Sequence, residues 1–242
     1  MALPSFPTNN TRSHTDKRMT FSLVARCKNT GMLGMAISSS SPAVAARCTH
    51  TRAGVGAVAS QNVTDPALGP ALLDLLSTGL GASDALTTLL TDYPYGDWRQ
   101  LLVVDATGTS AIHSGPRALG VWGEAQGHNV AAGGNLLDNA HVPQAMVDAF
   151  IASSGHLGDR LIGALTAGRD AGGEAGPVHS AGLQVVDAVS WPVVDLRSDW
   201  SESCPVDTVA EAWHVYKPQL QDYVIRALNP DTAPSYGVPG DQ

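Results

Sequence analysis

The chain has 242 residues, of which 43% are hydrophobic and 15% are charged, a composition typical of a globular protein. Its 14 basic residues against 22 acidic ones give a formal net charge of −8 at pH 7. This balance disfavours nucleic-acid binding, because neutralising phosphates needs clustered Lys and Arg. No apolar run approaches the roughly 18 to 20 residues that span a bilayer, and three cysteines are too few for a disulfide framework. We therefore expect a cytoplasmic protein with neither a nucleic-acid nor a membrane partner.

The chain is expected to form a single domain with a segment of different character at each end. The first 18 residues, MALPSFPTNNTRSHTDKR, are rich in turn-forming residues and lack the apolar stretch of a signal peptide. We expect residues 1–18 to be a disordered lead-in that is absent from the mature protein if translation starts at Met19. The domain is expected over residues 20–228, with a flexible tail over residues 229–242.

The hydrophobic pattern predicts strands and helices in alternating groups. The predicted strands are Thr20 to Cys27, Leu33 to Ser39, Gly54 to Ser60, Gln100 to Asp105, Ser110 to His113, Ser180 to Val186 and Val193 to Asp199. The predicted helices run from Pro66 to a C-cap at Gly79, from Ser83 through Leu90, from Val142 to Ser153, from Leu157 to Arg169, and from Val206 to about Leu228 with a break at Pro218. Strand hairpins between pairs of helices favour an α+β fold with antiparallel sheets covered by helices.

The common motifs of metal, nucleotide and serine-hydrolase sites are absent from the sequence. The eight histidines never fall at zinc-site spacing, no phosphate loop of Walker type occurs, and there is no GxSxG turn. We therefore expect no metal and no cofactor.

The pair Met19-Thr20 opens the first predicted strand. If translation starts at Met19, the small Thr side chain allows removal of that Met and leaves Thr20 as the N-terminal residue. A free α-amine titrates at about 7.7 to 8.0, so one residue would supply both a nucleophile and a base. The alternative interpretation is that Thr20 only starts a strand, as Thr commonly does.

Several short motifs occur in an order that resembles a known family. They are TFSLVARC, GMLGMAISSSSPAVAARC, TRAGVGAVASQNVTDPALGPALLDLLSTGL, SAIHSG, GGNLL and VVDLRSD, and they cover about residues 19–228. Together they resemble the family known as domain of unknown function 1028, whose members are similar to N-terminal-nucleophile hydrolases. The resemblance implies a four-layer αββα sandwich of two antiparallel sheets, and it favours Thr20 as the nucleophile.

The resemblance also implies a role for Arg52. In proteasome-type relatives a basic residue lies 32 positions after the nucleophilic Thr, and here that offset falls on Arg52. A guanidinium does not accept a proton at neutral pH, so Arg52 would stabilise charge or bind a substrate carboxylate. The alternative interpretation is an arginine in a salt bridge at the start of a strand.

Asn135 is the third predicted catalytic residue. It follows two glycines in GGNLL, which allow the backbone to approach closely, and its amide can donate to an oxyanion. The alternative is an Asn that stabilises a turn.

Five further residues are predicted to bind the substrate. Ser38, like Ser22, is expected beside Thr20 because the first two strands form a hairpin, and Gln61 and Asn62 end a strand near the expected site. His113 ends a hairpin strand, and Asp195 is placed to pair with Arg197 or to reach the site. Each of them also has an interpretation as a structural residue.

The sequence thus predicts a cofactor-independent amidohydrolase that cleaves a small, non-peptide C–N bond through Thr20. Two alternatives remain open, a non-catalytic metabolite-binding protein on the same fold and a proteasome-like threonine peptidase. The expected partners are a small amide substrate and further copies of the chain in a homodimer or small homo-oligomer.

Overall fold

The computed structural model describes residues 20–238. The prediction of disorder for residues 1–18 and the end of the predicted tail, residues 239–242, lie outside this range. The strands are β1 (Thr20–Arg26), β2 (Leu33–Ser39), β3 (Thr49–Arg52), β4 (Gly56–Asn62), β5 (Arg99–Asp105), β6 (Ser110–Ser114), β7 (Gly123–Gly127), β8 (Val130–Asn135), β9 (Ser180–Val186) and β10 (Val194–Ser198). The helices are α1 (Val44–Cys48), α2 (Leu68–Ser77), α3 (Ala82–Leu90), α4 (Val142–Ala152), α5 (Leu157–Asp170), α6 (Pro205–Tyr216) and α7 (Leu220–Leu228).

The strands form two sheets in which neighbours run antiparallel. The larger sheet has the order β10-β9-β2-β1-β8-β7, and the smaller one has the order β3-β4-β5-β6. The prediction of antiparallel sheets in a mixed α and β fold is thereby confirmed. Strand β1 lies in the interior of the larger sheet, between β2 and β8, so both of its edges are paired.

The alternation of side chains along β1 separates two of the hydrophobic cores. Phe21, Leu23 and Ala25 face the helical side of the larger sheet and pack in the core that α4, α5 and α6 cover. Val24 points the other way and packs between the two sheets, in a core that contains Leu102 of β5. These are the two faces that the period-two pattern predicts.

The remaining core lies on the outer side of the smaller sheet. There, side chains of α2 and α3 pack against residues of β4, β5 and β6 such as Val58, Leu101 and Ala111. The fold therefore consists of helices, the six-stranded sheet, the four-stranded sheet and helices, in that order. Apolar burial on both sides of each sheet is its main source of stability.

Four elements were not predicted from the sequence, namely α1, β3, β7 and β8. The strand predicted from Gly54 begins at Gly56 instead, because Gly54 adopts a left-handed conformation with φ of 68° in the turn that connects β3 to β4. The break predicted at Pro218 is confirmed, since a 3-10 turn at Lys217–Gln219 separates α6 from α7. Within residues 20–238, no helix combines the length and the hydropathy that crossing a membrane requires.

The described part of the C-terminal segment contacts α7. A 3-10 turn at Pro230–Thr232 follows the helix, and the Arg226 guanidinium donates hydrogen bonds to the carbonyls of Pro234 and Ser235 at 3.0 Å each. These contacts connect Pro234 and Ser235 to the helical layer over the larger sheet.

Candidate functional site

Thr20 lies at the end of β1 where three strands of the larger sheet meet. Its Cα is opposite Ser39, the last residue of β2, and opposite Asn135, the last residue of β8. The Thr20 side chain is on the same face of β1 as Ser22 and Val24, so it points into the space between the sheets. Thr20 is 8% exposed, which leaves its hydroxyl largely surrounded by protein.

The Thr20 hydroxyl begins a chain of hydrogen bonds that ends at a positive charge. It donates to Ser39 Oγ at 3.2 Å, and Ser39 Oγ lies 2.8 Å from Ser41 Oγ. Ser41 Oγ accepts from a guanidinium nitrogen of Arg47, on α1, at 2.8 Å. Because Arg47 is always charged, it polarises the two serine hydroxyls and favours negative charge on the Thr20 oxygen.

Glu174 crosses the N-terminal end of β1. Its backbone pairs with Leu137, two residues after β8 ends, and both of its carboxylate oxygens accept the Ser40 N–H, at 3.1 and 3.0 Å, one residue after β2 ends. Strands β8 and β2 flank β1 and are about 10 Å apart. The Glu174 side chain therefore spans the position at which Thr20 enters the sheet.

Burial sets the protonation of Glu174. It is 6% exposed, and this burial raises the pKa of its carboxyl to about 8, with the hydrogen bonds from Ser40 opposing the shift. The backbone and side-chain hydrogen bonds of Ser40 alone do not replace the full hydration of a carboxylate. Glu174 is thus mostly neutral at pH 7 and can exchange a proton near neutral pH.

A buried network of amides joins the two sheets behind Thr20. Ser22 Oγ donates to Gln61 Oε1 at 2.6 Å, and Gln61 Nε2 donates to Gln100 Oε1 at 2.8 Å. Asn135 Nδ2 also donates to Gln100 Oε1, at 3.3 Å, and Gln100 Nε2 donates to Ser114 Oγ at 3.0 Å. Because these side chains hold one another, the Asn135 amide next to Thr20 has a fixed orientation.

The structure brings some of the predicted site residues together with Thr20. Asn135 and Gln61 belong to this network, and Asn135 is the direct strand neighbour of Thr20. Ser38 is opposite Phe21 instead, and its hydroxyl donates to the Ser180 carbonyl at 3.1 Å. The neighbour of Thr20 on β2 is thus Ser39, one residue later and on the opposite face of the strand.

Arg52 does not lie near Thr20. It is opposite Gly56, five residues along β4 from Gln61, which corresponds to about 17 Å. Its guanidinium forms an exposed ion pair with Asp74, at 2.8 Å. The structure therefore gives Arg52 a surface contact, and the arginine connected to Thr20 by hydrogen bonds is Arg47.

Asp195 is also remote from Thr20, since its strand, β10, is the edge strand three places from β1, about 14 Å away. There it forms a bidentate ion pair with Arg197, in which both nitrogen–oxygen distances are 2.7 Å. His113 Nε2 donates to the Gly96 carbonyl at 2.9 Å. Asn62 donates to the Trp98 carbonyl at 2.6 Å. These contacts fit the structural interpretations of the three residues.

Sequence reasoning missed five residues around Thr20, which are Ser39, Ser41, Arg47, Gln100 and Glu174. The run of four serines from Ser38 to Ser41 was the one visible signal. No sequence pattern indicates that Glu174 lies near Thr20, because its position depends on a backbone bridge to Leu137, 37 residues earlier in the chain. Among residues 20–238, no group of three or more His, Cys, Asp or Glu side chains is arranged to hold a metal ion.

Comparison with known proteins identifies the family. Residues 20–209 match the model of the family of unknown function DUF1028, and the chain belongs to that family. The solved structure of protein SPO2555 from Silicibacter pomeroyi, assigned to the same family, has 27% sequence identity and a TM-score of 0.76, and the match covers 82% of this chain and 89% of that one.

A second solved structure, Anbu (ancestral beta-subunit) from Yersinia bercovieri, has 11% identity and a TM-score of 0.39, with 83% of this chain and 96% of that one covered. At that level the likeness carries no argument about fold or function. No curated protein sequence matches the chain.

Proposed function

We propose that the protein is an N-terminal-nucleophile hydrolase that cleaves the C–N bond of a small amide with Thr20 as its nucleophile. The observation that carries the proposal is the position of Thr20 at the start of an interior strand, with its hydroxyl bonded to Ser39 and Asn135 opposite. Within this proposal the four layers are an N-terminal-nucleophile-type αββα sandwich.

The first chemical step requires that the bond between Met19 and Thr20 has been cut. The free α-amine of Thr20 then accepts the proton of its own hydroxyl as the oxygen attacks the amide carbonyl. The resulting tetrahedral intermediate loses its amine, which takes up that proton as the C–N bond breaks. A threonyl ester remains on Thr20, and water, deprotonated by the same α-amine, hydrolyses it to a carboxylic acid.

The surroundings of Thr20 supply what this chemistry needs besides the nucleophile. Arg47 acts through Ser41 and Ser39 and favours the loss of the hydroxyl proton. Asn135 has a second amide N–H besides the one donated to Gln100, and that N–H is the proposed oxyanion donor.

Glu174 has a distinct task in this proposal. It spans the end of β1, so its carboxyl faces the position of the freed α-amine. The neutral carboxyl there would form a hydrogen bond with the neutral α-amine and orient it for proton transfer. No cofactor takes part in the proposed reaction.

The decisive experiment traps the nucleophile without knowledge of the substrate. A protein expressed from Met19, whose intact mass verifies Thr20 as the first residue, is treated with a β-lactone, an electrophile that acylates a hydroxyl and adds its whole mass. We expect one adduct per chain, located on Thr20 by peptide mass spectrometry. Thr20→Ser should keep the adduct, since hydroxyl and amine both survive, and Thr20→Ala should lose it.

The matched control is a protein in which Thr20 is preceded by one additional residue, so that its nitrogen is part of a peptide bond. This form should be as unreactive as Thr20→Ala, while circular dichroism shows the same fold. An adduct of equal yield in the extended protein or in Thr20→Ala would refute the N-terminal mechanism. Protein from the native host that retains residues 1–19 would favour the non-catalytic metabolite-binding function.

A further inference from the structure

A cavity lies at the opposite end of β1 from Thr20. It is formed by the end of β1 and the following turn, the turn from β7 to β8, the end of α4 and the start of α5. Its volume is about 470 Å³, within the range of small-molecule sites. Arg26, which lines the cavity, is six positions along β1 from Thr20, about 20 Å away, so the cavity is not part of the site described above.

The charge of this cavity is opposite to that of the whole chain. Three permanent cations line it, Arg26, Lys28 and Arg160, together with His128, and none of the described lining residues is acidic. The chain as a whole carries a formal net charge of −8. A concave site with cations alone focuses a positive potential that attracts anions.

Two of the cations are held in place with unused hydrogen-bonding capacity. Arg26 donates through one terminal nitrogen to Asn129 Oδ1 at 3.3 Å, while its buried Nε has no hydrogen-bond partner. Arg160 donates to the Phe150 carbonyl at 3.0 Å and to Ser153 Oγ at 3.3 Å, and its guanidinium lies 3.9 Å above the Phe150 ring. A buried guanidinium N–H without a partner is costly, and an oxyanion in the cavity would supply one.

The third cation, Lys28, is exposed, and its side chain forms no hydrogen bond or ion pair with any residue of the range 20–238. Its charge therefore remains available to a ligand. The cavity also has an apolar wall, formed by Phe150 and by Ile151, which is 61% exposed at the end of α4. The ligand thus needs negative charge at one end and an apolar part at the other.

We infer that this cavity binds a small organic dianion, a phosphate monoester or a dicarboxylate, with its oxyanion on Arg26, Lys28 and Arg160 and its apolar part against Ile151. Two negative charges match three cations better than one does, and the volume exceeds what a bare ion fills. The inference does not depend on Thr20 or on hydrolysis.

Isothermal titration calorimetry on the full chain tests this binding site with phenyl phosphate, glutarate and inorganic phosphate as probes. We expect saturable 1:1 binding of phenyl phosphate or glutarate that weakens as NaCl is raised from about 20 to about 200 mM. Tighter binding of phenyl phosphate would identify a phosphate monoester as the ligand class, and tighter binding of glutarate would identify a dicarboxylate.

Substitutions of the cavity residues test whether the dianion binds in this cavity. Lys28→Gln should weaken it about fivefold, as expected for one exposed charge, and Arg160→Gln should weaken it about tenfold or more. Arg52→Gln is the matched control, because it removes an exposed arginine outside the cavity and should leave the affinity unchanged. Absence of saturable binding at about 10 mM of either dianion would overturn the inference. So would equal affinity in Lys28→Gln, or inorganic phosphate binding as tightly as phenyl phosphate.

Discussion

Both carboxylate oxygens of Glu174 accept the backbone N–H of Ser40, and the Ser40 side chain is a second hydrogen-bonding partner of the same carboxyl. The pKa of the Glu174 carboxyl is raised to about 8 from an ordinary value of 4.5 because burial disfavours the charged form. Between these two values the unfolded chain releases a proton that the folded chain keeps. Folding stability is therefore expected to fall as the pH rises from about 4.5 to about 8.

Glu174→Gln should remove this pH dependence, because the amide keeps the hydrogen-bond acceptor for Ser40 and has no charge to bury. The difference in unfolding free energy between variant and parent should grow in favour of the variant, reaching at most about 5 kcal/mol at pH 8. Urea denaturation at pH 5, 6.5 and 8 measures it. A difference that stays constant over that range would contradict the raised pKa.

A second prediction concerns Arg47 in the proposed reaction. Arg47→Gln should slow β-lactone labelling of Thr20 about tenfold, less than the loss of a direct oxyanion donor because Arg47 acts through two hydroxyls. Loss of the positive charge should also raise the pKa of the α-amine and move the pH profile of labelling upward. A purely structural Arg47 would leave that profile in place. Arg52→Gln, at the end of β3 opposite Gly56, should match the parent in both measurements.

A third prediction concerns Gln100, which joins the two sheets. Gln100→Leu leaves Gln61 and Asn135 without the oxygen that accepts from both of them. Burying these unsatisfied donors should cost about 2 to 4 kcal/mol of unfolding free energy. Gln126→Leu is the control, since Gln126 is exposed on β7, and it should change the stability by less than about 0.5 kcal/mol. Equal effects of the two substitutions would show that the network contributes little.

A fourth prediction compares two helical glycines. A Cβ on Gly69 of α2 would lie 2.0 Å from the His50 ring, whereas one on Gly163 of α5 would meet nothing within 4 Å. Gly69→Ala should therefore destabilise the fold by about 1 to 3 kcal/mol, and Gly163→Ala should stabilise it by up to about 1 kcal/mol.

Thermal unfolding measures both glycine substitutions. Replacement of the ring in the double variant His50→Ala, Gly69→Ala should recover most of the loss caused by Gly69→Ala, relative to His50→Ala alone. If the double variant loses the sum of the two single effects, the clash with His50 is not the cause.

The sequence predicted well those elements whose side chains are large and regularly spaced. In β1, Phe21 and Leu23 alternate with Ser22 and Val24, and the structure has that strand and its two faces. Strand β8 was not predicted, because its sequence VAAGGN has few large side chains and therefore no clear alternation of hydrophobic and polar residues. Gly134 is needed where Leu137 and the Thr20 backbone approach closely, since a Cβ there would lie 2.6 Å from a Leu137 methyl group and 3.1 Å from the Thr20 carbonyl oxygen.

The site was harder to predict because distance along the chain does not measure distance in space. Counting 32 residues from Thr20 leads to Arg52, but α1 and β3 reverse the chain and carry Arg52 to the far end of the smaller sheet. Arg47, only five residues earlier, is connected to Thr20 through two serines. Glu174 reaches the site through a bridge to Leu137, which no local pattern encodes.

Because β1 is paired on both edges and packed on both faces, its length is constrained more tightly than its composition. If one residue were inserted in the middle of β1, every side chain on one side of the insertion would move to the opposite face of the sheet. Phe21 would then point between the two sheets, and Ser22 would point toward the helices. A phenyl ring would then replace a hydroxyl at Gln61, and Thr20 would point toward the helices. Variation of this strand among related chains should thus occur by substitution, with insertions and deletions confined to the connections on either side.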